Sequence, residues 1–342
     1  MKAGKLLAIG LVLLSCLADS AIAQESKLIL TTMSPAGSSN SRLLFGPWAA
    51  RVNEQGKGVI EIDVRDGPTL ANFGNVYERV RDDVVQIGWL IPGVLGGQFG
   101  LTAVAGLPFT TDTAEQGSVA LWRLYKSGLL AAEYQDIVPL MFGVFGQFQL
   151  HFAKPVRSLD TLQGLKIAAT GKSSLEVIER LGAAPESIAP EDLYQALQRG
   201  TIDGLMIAWS AFDAYRLTEV TAYHIETPLG STPSVIFMSK KRYNALSDNA
   251  RKVLDDNSGE RGSREFGAYL DRQVVTMRKP SASNPSKHTI VQLSPTQTTE
   301  WQAKVAPVIA EWVKAQPNGE KVLETYRKLL VQAKTGASPT SP

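Results

Sequence analysis

Cysteine is nearly absent from this chain of 342 residues, because its one cysteine, Cys16, lies in the N-terminal stretch discussed below. The rest of the chain can form no disulfide and offers no thiolate as a nucleophile or metal ligand. Histidine is also scarce: His151, His224 and His288 are isolated in the sequence. Because no HExxH motif or clustered ligand spacing occurs, we predict no metal site and no cofactor.

An excess of charge of one sign is lacking as well. The formal net charge is +2, and removal of the first 23 residues, which hold Lys2, Lys5 and Asp19, leaves +1. Binding to nucleic acid needs a basic stripe or patch, so we expect no nucleic-acid partner. The chain shows no internal repeat, and its 44% apolar content is typical of a globular protein long enough for two domains.

Residues 1–23 have the pattern of a secretory signal peptide. Lys2 and Lys5 precede an apolar run at 6–17, and Ala21, Ile22 and Ala23 form an A-x-A cleavage site. The run is too short to span a bilayer, and no other stretch approaches that length. Two alternatives remain open, an uncleaved N-terminal anchor and a lipidated Cys16 behind a poor lipoprotein box. An exported protein whose mature chain lacks cysteine fits the bacterial periplasm.

Residues 164–209 predict strand, helix, short strand, helix and strand in succession. The apolar run at 165–169 is typical of a buried strand, and Ser173 with Glu176 forms a capping box for the next helix. Gly182 and Gly200 end the two helices, and 202–208 is the last strand. Such alternation builds an α/β lobe with a binding crevice at the strand ends.

Three motifs in this stretch resemble those of solute-binding proteins from TRAP (tripartite ATP-independent periplasmic) transporters. They are Leu-Gln-Gly-Leu-Lys-Ile-Ala at 162–168, Leu-Gly-Ala-Ala-Pro at 181–185, and Tyr-Gln-Ala-Leu-Gln-Arg-Gly-Thr-Ile-Asp-Gly at 194–204. The resemblance implies a two-lobed α/β fold of the periplasmic-binding-protein type (class II), in which each lobe is a sheet flanked by helices. It also implies a periplasmic receptor, without enzymatic activity, that closes on a small molecule between its lobes and delivers it to a membrane permease. We expect the receptor to be a monomer.

We expect the chain to cross between the lobes twice, first within the apolar run at 140–152 and again near 228–234. Lobe I then comprises 24–145 and 233–272, and lobe II comprises 146–232 and 273–310. A C-terminal helix at 311–336 and a frayed tail at 337–342 complete the predicted organisation.

The predicted ligand site departs from the family pattern at three positions. The family arginine that clamps a ligand carboxylate falls at Ala168, a second arginine falls at Phe148, and a frequent asparagine falls at Ile207. A guanidinium binds a carboxylate through two charge-assisted hydrogen bonds, which neither alanine nor phenylalanine can replace. We therefore expect a ligand that is aromatic or largely apolar.

Aromatic residues near these positions predict the walls of the pocket. Trp209, Phe212 and Phe148 would meet Trp89 from the opposite lobe, although the same rings could be ordinary core. The candidate polar partners of the ligand are Gln147, Gln149, Asn72 and Ser39.

A ligand that is an acid would need another cation. Lys172 at a helix N-terminus could supply it, and so could Arg216. Residues 169–173 also resemble the end of a phosphate-binding P-loop, but Lys166 stands where that motif requires glycine. Two other functions remain open, an exported α/β hydrolase, for which no G-x-S-x-G elbow is present, and a binding protein of another transporter or sensor class.

Overall fold

The computed structural model describes residues 26–156, 162–188 and 192–335. These residues form eleven strands in two mixed sheets and ten α-helices. The predicted leader at 1–23 and the predicted tail at 337–342 lie outside the described residues. Within the described ranges, no helix combines the length and the apolar character that a bilayer span requires.

The first sheet defines lobe I. Its strands, in spatial order, are β2 (Ile60–Arg65), β1 (Ser26–Thr31), β3 (Ile87–Leu90), β10 (Pro233–Ser239) and β4 (Ile137–Val144). The first three are parallel, whereas β10 runs antiparallel to both of its neighbours. Alternate residues of each strand enter the apolar clusters on the two faces of this sheet, so both faces are buried.

The helices of lobe I cover these two faces. One face is packed by α2 (Val76–Arg81) and α3 (Ala114–Lys126), and the other by α1 (Gly46–Gln55) and α7 (Asp248–Asp256). The short α6 (Lys240–Asn244) follows β10. The glycine-rich stretch after β3 folds into 3₁₀ turns over Pro92–Phe99.

The second sheet defines lobe II. Its strands, in spatial order, are β11 (Thr289–Gln292), β9 (Tyr223–Glu226), β5 (Gln149–Phe152), β8 (Gly204–Ile207), β6 (Lys166–Ala169) and β7 (Ala184–Ser187). Both faces again carry apolar clusters. Helices α4 (Lys172–Arg180) and α5 (Leu193–Arg199) connect the parallel strands β6, β7 and β8.

Two crossings join the sheets and fix the strand orders. The chain leaves β4 of lobe I and enters β5 in the middle of the lobe II sheet through residues 145–148. It returns from β9 to β10, in the middle of the lobe I sheet, through 227–232. Each sheet therefore holds one strand inserted by a crossing, and the two-lobed α/β class predicted from the sequence is confirmed.

Two of the three remaining helices contact both lobes, and the third lies on lobe I. Helix α8 (Gly259–Ala282) buries Phe266 and Leu270 in lobe I and packs Met277 against lobe II. Helix α9 (Pro295–Ala315) lies mainly on lobe II, and α10 (Gly319–Lys334) lies on lobe I. Gly267 allows α8 to pack closely against the start of α3, because a Cβ there would lie 2.6 Å from the Ala114 carbonyl oxygen.

The capping box predicted at Ser173 is wrong. Helix α4 begins one residue earlier, at Lys172, and its N-cap is Gly171 with φ +87°, a conformation that glycine adopts without strain. Ser173 therefore lies inside the first turn, and no side chain caps this helix. Asn75 is the N-cap of α2, but its side chain accepts from the Asn72 N–H rather than from the helix.

Candidate functional site

The candidate site lies where the crossings leave the two sheets. In lobe I, Leu90 at the end of β3 pairs with Val235 near the start of β10. The first crossing leaves the sheet at this edge, and the second crossing enters the sheet at the same edge. In lobe II, Gln149 at the start of β5 pairs with Ile207 at the end of β8. These two edges face each other because the crossing segments are only a few residues long. In open α/β sheets, ligands bind outside such strand ends.

Hydrogen bonds between the two crossing segments make them a paired ribbon. The Phe145 N–H donates to the Thr232 carbonyl at 2.9 Å, and the Phe148 N–H donates to the Gly230 carbonyl at 2.7 Å. The turn around Phe109 braces this ribbon, since its N–H donates to the Pro228 carbonyl at 2.8 Å. Backbone hydrogen bonds therefore hold together the segments that form the floor between the lobes.

Aromatic rings cluster around Trp89 at the lobe I edge. The Trp89 ring centroid lies 5.4 Å from that of Phe45, 5.2 Å from Phe73 and 6.2 Å from Phe145, which stacks on it at 27°. Phe73 and Phe145 are only partly buried, whereas Trp89 is 5% exposed. We call these four residues the Trp89 cluster. The sequence predicts Trp89 as a pocket residue but not its three phenylalanine neighbours, and it favours Phe148 over Phe145 on the first crossing.

Trp209 and Phe212 belong to the core of lobe II. Each is 1% exposed, and their ring centroids lie 4.4 Å apart, so they have the core placement that remained the alternative interpretation. The Trp209 indole N–H donates to Glu226 at 3.0 Å, and the Arg278 guanidinium holds the same carboxylate at 2.5 and 3.1 Å. Glu226 and Arg278 therefore tie the end of β9 to helix α8, and neither residue was identified from the sequence.

The three histidines, isolated in the sequence, form one buried row across lobe II. His151 Nε2 lies 3.1 Å from the Ile207 carbonyl, which can only accept, so the proton is on Nε2. His151 Nδ1 then accepts from His224 Nδ1 at 2.9 Å, and His224 Nε2 accepts from His288 Nδ1 at 3.2 Å. These donor and acceptor roles follow from neutral His151 and His224, and the lowered pKa values of both histidines favour that state. Burial lowers the pKa of His151, and burial with nearby His288 and Arg278 lowers the pKa of His224 to about 3.

The histidine row is not a metal site, since its ring nitrogens bond to one another. Among the described residues, no group of three or more His, Cys, Asp or Glu side chains could hold a metal ion.

The structure does not bring the candidate cations to the Trp89 cluster. Lys172 is 91% exposed and lies 3.6 Å from Glu176 on its own helix. Arg216 is bound by Glu219 through two hydrogen bonds of 2.9 and 2.8 Å on the surface of lobe II. Ala168 is fully buried among the apolar side chains of the lobe II core.

The remaining candidate ligand-binding residues lie either at the crossings or near the surface of lobe I. Gln147 lies half-buried in the first crossing, and the Gln149 side chain accepts from the Thr227 N–H at 2.6 Å, linking it to the second crossing. Asn72 is exposed and caps its own turn by accepting from the Gly74 N–H at 3.0 Å. Ser39 is partly buried in the turn before α1. Phe148 packs against the lobe II core on the sheet face opposite Trp209.

Comparison with known proteins identifies the family. The model of bacterial extracellular solute-binding protein, family 7, matches residues 33–316, which is most of the chain. The chain belongs to this family. The resemblance to TRAP solute-binding proteins is thereby confirmed, and with it the absence of enzymatic activity, since the family consists of transporter binding proteins.

Relatives and solved structures agree with this assignment. The outer membrane transporter protein TsaT of Comamonas testosteroni is 27% identical over 335 residues, covering 92% of this chain and 95% of that protein. A TRAP solute-binding protein from Rhodoferax ferrireducens, in complex with copurified benzoate, is 27% identical with a TM-score of 0.83, covering 91% and 99% of the two chains. A marine metagenome TRAP protein specific for aromatic acid ligands, with bound 3-hydroxybenzoate, is 26% identical with a TM-score of 0.82 and covers 91% and 99%.

This family 7 protein is therefore a TRAP solute receptor, and TRAP solute-binding proteins are periplasmic and work with membrane permease components. Its function is to bind a small organic molecule, and neither the hydrolase nor the nucleotide-binding interpretation finds support.

Proposed function

We propose that this receptor captures a monocyclic aromatic carboxylic acid between its lobes and delivers it to a TRAP permease. The observation that carries the proposal is the Trp89 cluster. Its partly exposed rings of Phe73 and Phe145 lie at the edge of lobe I, where the crossings begin. Aromatic rings favour tilted or offset contacts with one another, so a ligand ring fits among them.

The composition of the lobe II edge supports the same class of ligand. Ala168, Phe148 and Ile207 stand where the resemblance places an arginine, a second arginine and an asparagine. An aliphatic dicarboxylate depends on such groups for most of its affinity, whereas an aromatic acid also gains from burial of its ring, about 25 cal/mol per Å² of apolar surface.

Similar proteins add independent support. The Rhodoferax ferrireducens protein was found with benzoate and the marine metagenome protein with 3-hydroxybenzoate, and both are similar to this chain over nine-tenths of its length. Both ligands are single aromatic rings with one carboxylate.

The remaining parts of the proposal follow the sequence. Residues 1–23 direct export and are removed after Ala23, and the mature protein acts in the periplasm as a monomer. Lobe I (24–145 and 233–272) and lobe II (146–232 and 273–310) close by a hinge motion about the crossings. Trp89, Gln147, Phe148 and Gln149 contact the ligand together with Ile207, while Trp209 and Phe212 pack in the core of lobe II behind this edge.

Thermal denaturation of the chain from Gln24 tests the proposal. Benzoate and 3-hydroxybenzoate should raise the melting temperature, because a ligand at 100 times its Kd stabilises the folded state by about 2.7 kcal/mol. Succinate at the same concentration serves as the control for a charge-driven site. A melting temperature that rises with succinate and not with either aromatic acid would show that the ligand class is wrong. Calorimetric titration then gives the Kd.

A further inference from the structure

A groove on the surface of lobe I lies between helices α1 and α8 and has a volume of about 460 Å³. The buried side chains of Trp48 and Met141 lie at its bottom, and the exposed Leu43 and Pro47 lie at its rim. Small-molecule sites in proteins are typically clefts of about 300–1,000 Å³ with a largely apolar lining. No described residue of the Trp89 cluster, of the crossings or of lobe II lines the groove, so it is separate from the candidate site between the lobes.

Helix α8 leaves room for the groove because it presents small residues there. Gly262, Glu265, Ala268 and Arg272 follow one another at intervals of three or four residues, which places them on one face of the helix. A Cβ at Gly262 would lie 3.2 Å from the Met141 Cβ and 3.3 Å from the Met141 sulfur. Even one methyl group at residue 262 would therefore reduce the space above Met141.

The charged side chains around the groove leave one cation available. Arg51 donates to Glu265 at 2.6 Å, and Arg264 donates to Glu115 at 2.8 Å, so these two arginines already hold carboxylates. The exposed Arg272 forms no ion pair with any residue that the structure describes. A guanidinium binds a carboxylate through two charge-assisted hydrogen bonds, and Arg272 can do so without giving up a carboxylate partner. The groove therefore combines an apolar bottom with a positive charge that a ligand can neutralise.

We propose that this groove is a second binding site, for a small free monoanion with an apolar tail such as a medium-chain carboxylic acid. The Arg272 guanidinium binds the carboxylate, and the tail lies over Trp48 and Met141. The tail also covers the side chain of Leu43, which is 52% exposed, and removal of this apolar surface from water favours binding. The site is additional to the proposed capture of an aromatic acid between the lobes, and neither proposal depends on the other.

Indole resonances of ¹⁵N-labelled protein report on each region separately, because Trp48 lines the groove, Trp89 lies at the crossings and Trp301 lies in the core of lobe II. Octanoate should shift the Trp48 Nε1–H resonance in a saturable manner and leave those of Trp89 and Trp301 in place. Octan-1-ol has the same tail without the charge and should bind about three- to fivefold more weakly, which is the contribution expected of an ion pair at an exposed site. If the Trp89 resonance moves while that of Trp48 stays still, octanoate occupies the site between the lobes and the second site is refuted.

Variants test the individual contacts in the same titration. Arg272→Gln should raise the Kd of octanoate about three- to fivefold, whereas Arg272→Lys, which keeps the charge, should raise it less. Gly262→Ala should also weaken binding, because its methyl group occupies the bottom of the groove. Lys279→Gln is the matched control, since it removes an exposed positive charge of α8 outside the groove, and it should change the Kd less than about twofold.

Two results would overturn the proposal. Equal Kd values for Arg272→Gln and Lys279→Gln would show that Arg272 does not bind the carboxylate. A Trp48 resonance that octanoate leaves unmoved at millimolar concentration would show that the groove binds no such anion.

Discussion

Lowering the pH should destabilise this protein before the pH reaches the range in which ordinary carboxylates titrate. The cause is the buried histidine row. Burial disfavours the charged form of His151 and His224, and both side chains are fully buried in the folded state. In the unfolded chain the same histidines titrate with a pKa near 6.5. Below that pH the unfolded state binds more protons than the folded state, so the free energy of unfolding falls as the pH falls.

The magnitude follows from the pKa difference. His224 has a folded-state pKa of about 3, so its contribution is complete above pH 6.5 and decreases steadily down to about pH 3. At pH 5.0 the loss is about 2 kcal/mol for this histidine, at 1.36 kcal/mol per pH unit. His151, whose pKa is also lowered well below its usual value, adds to this loss in the same direction. Charged groups around the row are Arg278, Glu226 and Lys287.

Urea unfolding between pH 7.5 and 5.0 is the measurement, and His224→Gln is the comparison. Glutamine can still donate and accept but does not titrate, so the variant should lose about 2 kcal/mol less than the wild type over this range. The comparison matters because burial raises the pKa values of Glu133 and Asp271, which stabilise the folded state as the pH falls. Parallel stability curves for the two proteins would refute a neutral histidine row.

Two further predictions concern local structure. Ser173→Ala should change the free energy of urea unfolding by less than about 0.5 kcal/mol, because the Ser173 side chain does not cap α4. Ser294→Ala should lower the free energy of unfolding by about 1 kcal/mol, because it removes the capping box of α9. Equal losses in the two variants would contradict the structure. Gly106→Ala should cost about 1–3 kcal/mol because its Cβ would lie 2.6 Å from the Ser231 carbonyl oxygen, while Gly93→Ala, with no atom within 4 Å, should be neutral in the same assay.

Periodicity and turn residues predicted the elements of the fold well, because those signals are local. The strands predicted at 165–169 and 202–208 appear as β6 and β8, and Gly182 and Gly200 adopt the positive φ values expected at helix ends. The C-terminal helix predicted at 311–336 is instead the end of α9 and the separate helix α10. The cap at Ser173 was misplaced because Gly171 can also begin the helix, and a sequence does not show which of two competing caps is used.

The histidine row could not be predicted because it depends on strand order. His151 and His224 are 73 residues apart, and they meet because β5 and β9 pair in a register that places them directly opposite. His288 joins them because β11 is added beside β9. The order of strands in a sheet is a long-range property, so three isolated histidines give no sign of the row.

Trp89 and Trp209 show why the candidate site could be predicted only in part. Both follow or end a buried strand at a binding edge, and by residue type alone both qualify as pocket walls. Their indole N–H groups separate them, because that of Trp209 donates to Glu226 at 3.0 Å while that of Trp89 has no partner among the described residues. A tryptophan whose polar atom is already satisfied contributes packing to lobe II, whereas an unsatisfied one at the crossings can still gain a hydrogen bond. Ligand recognition is therefore expected to depend more on Trp89 than on Trp209.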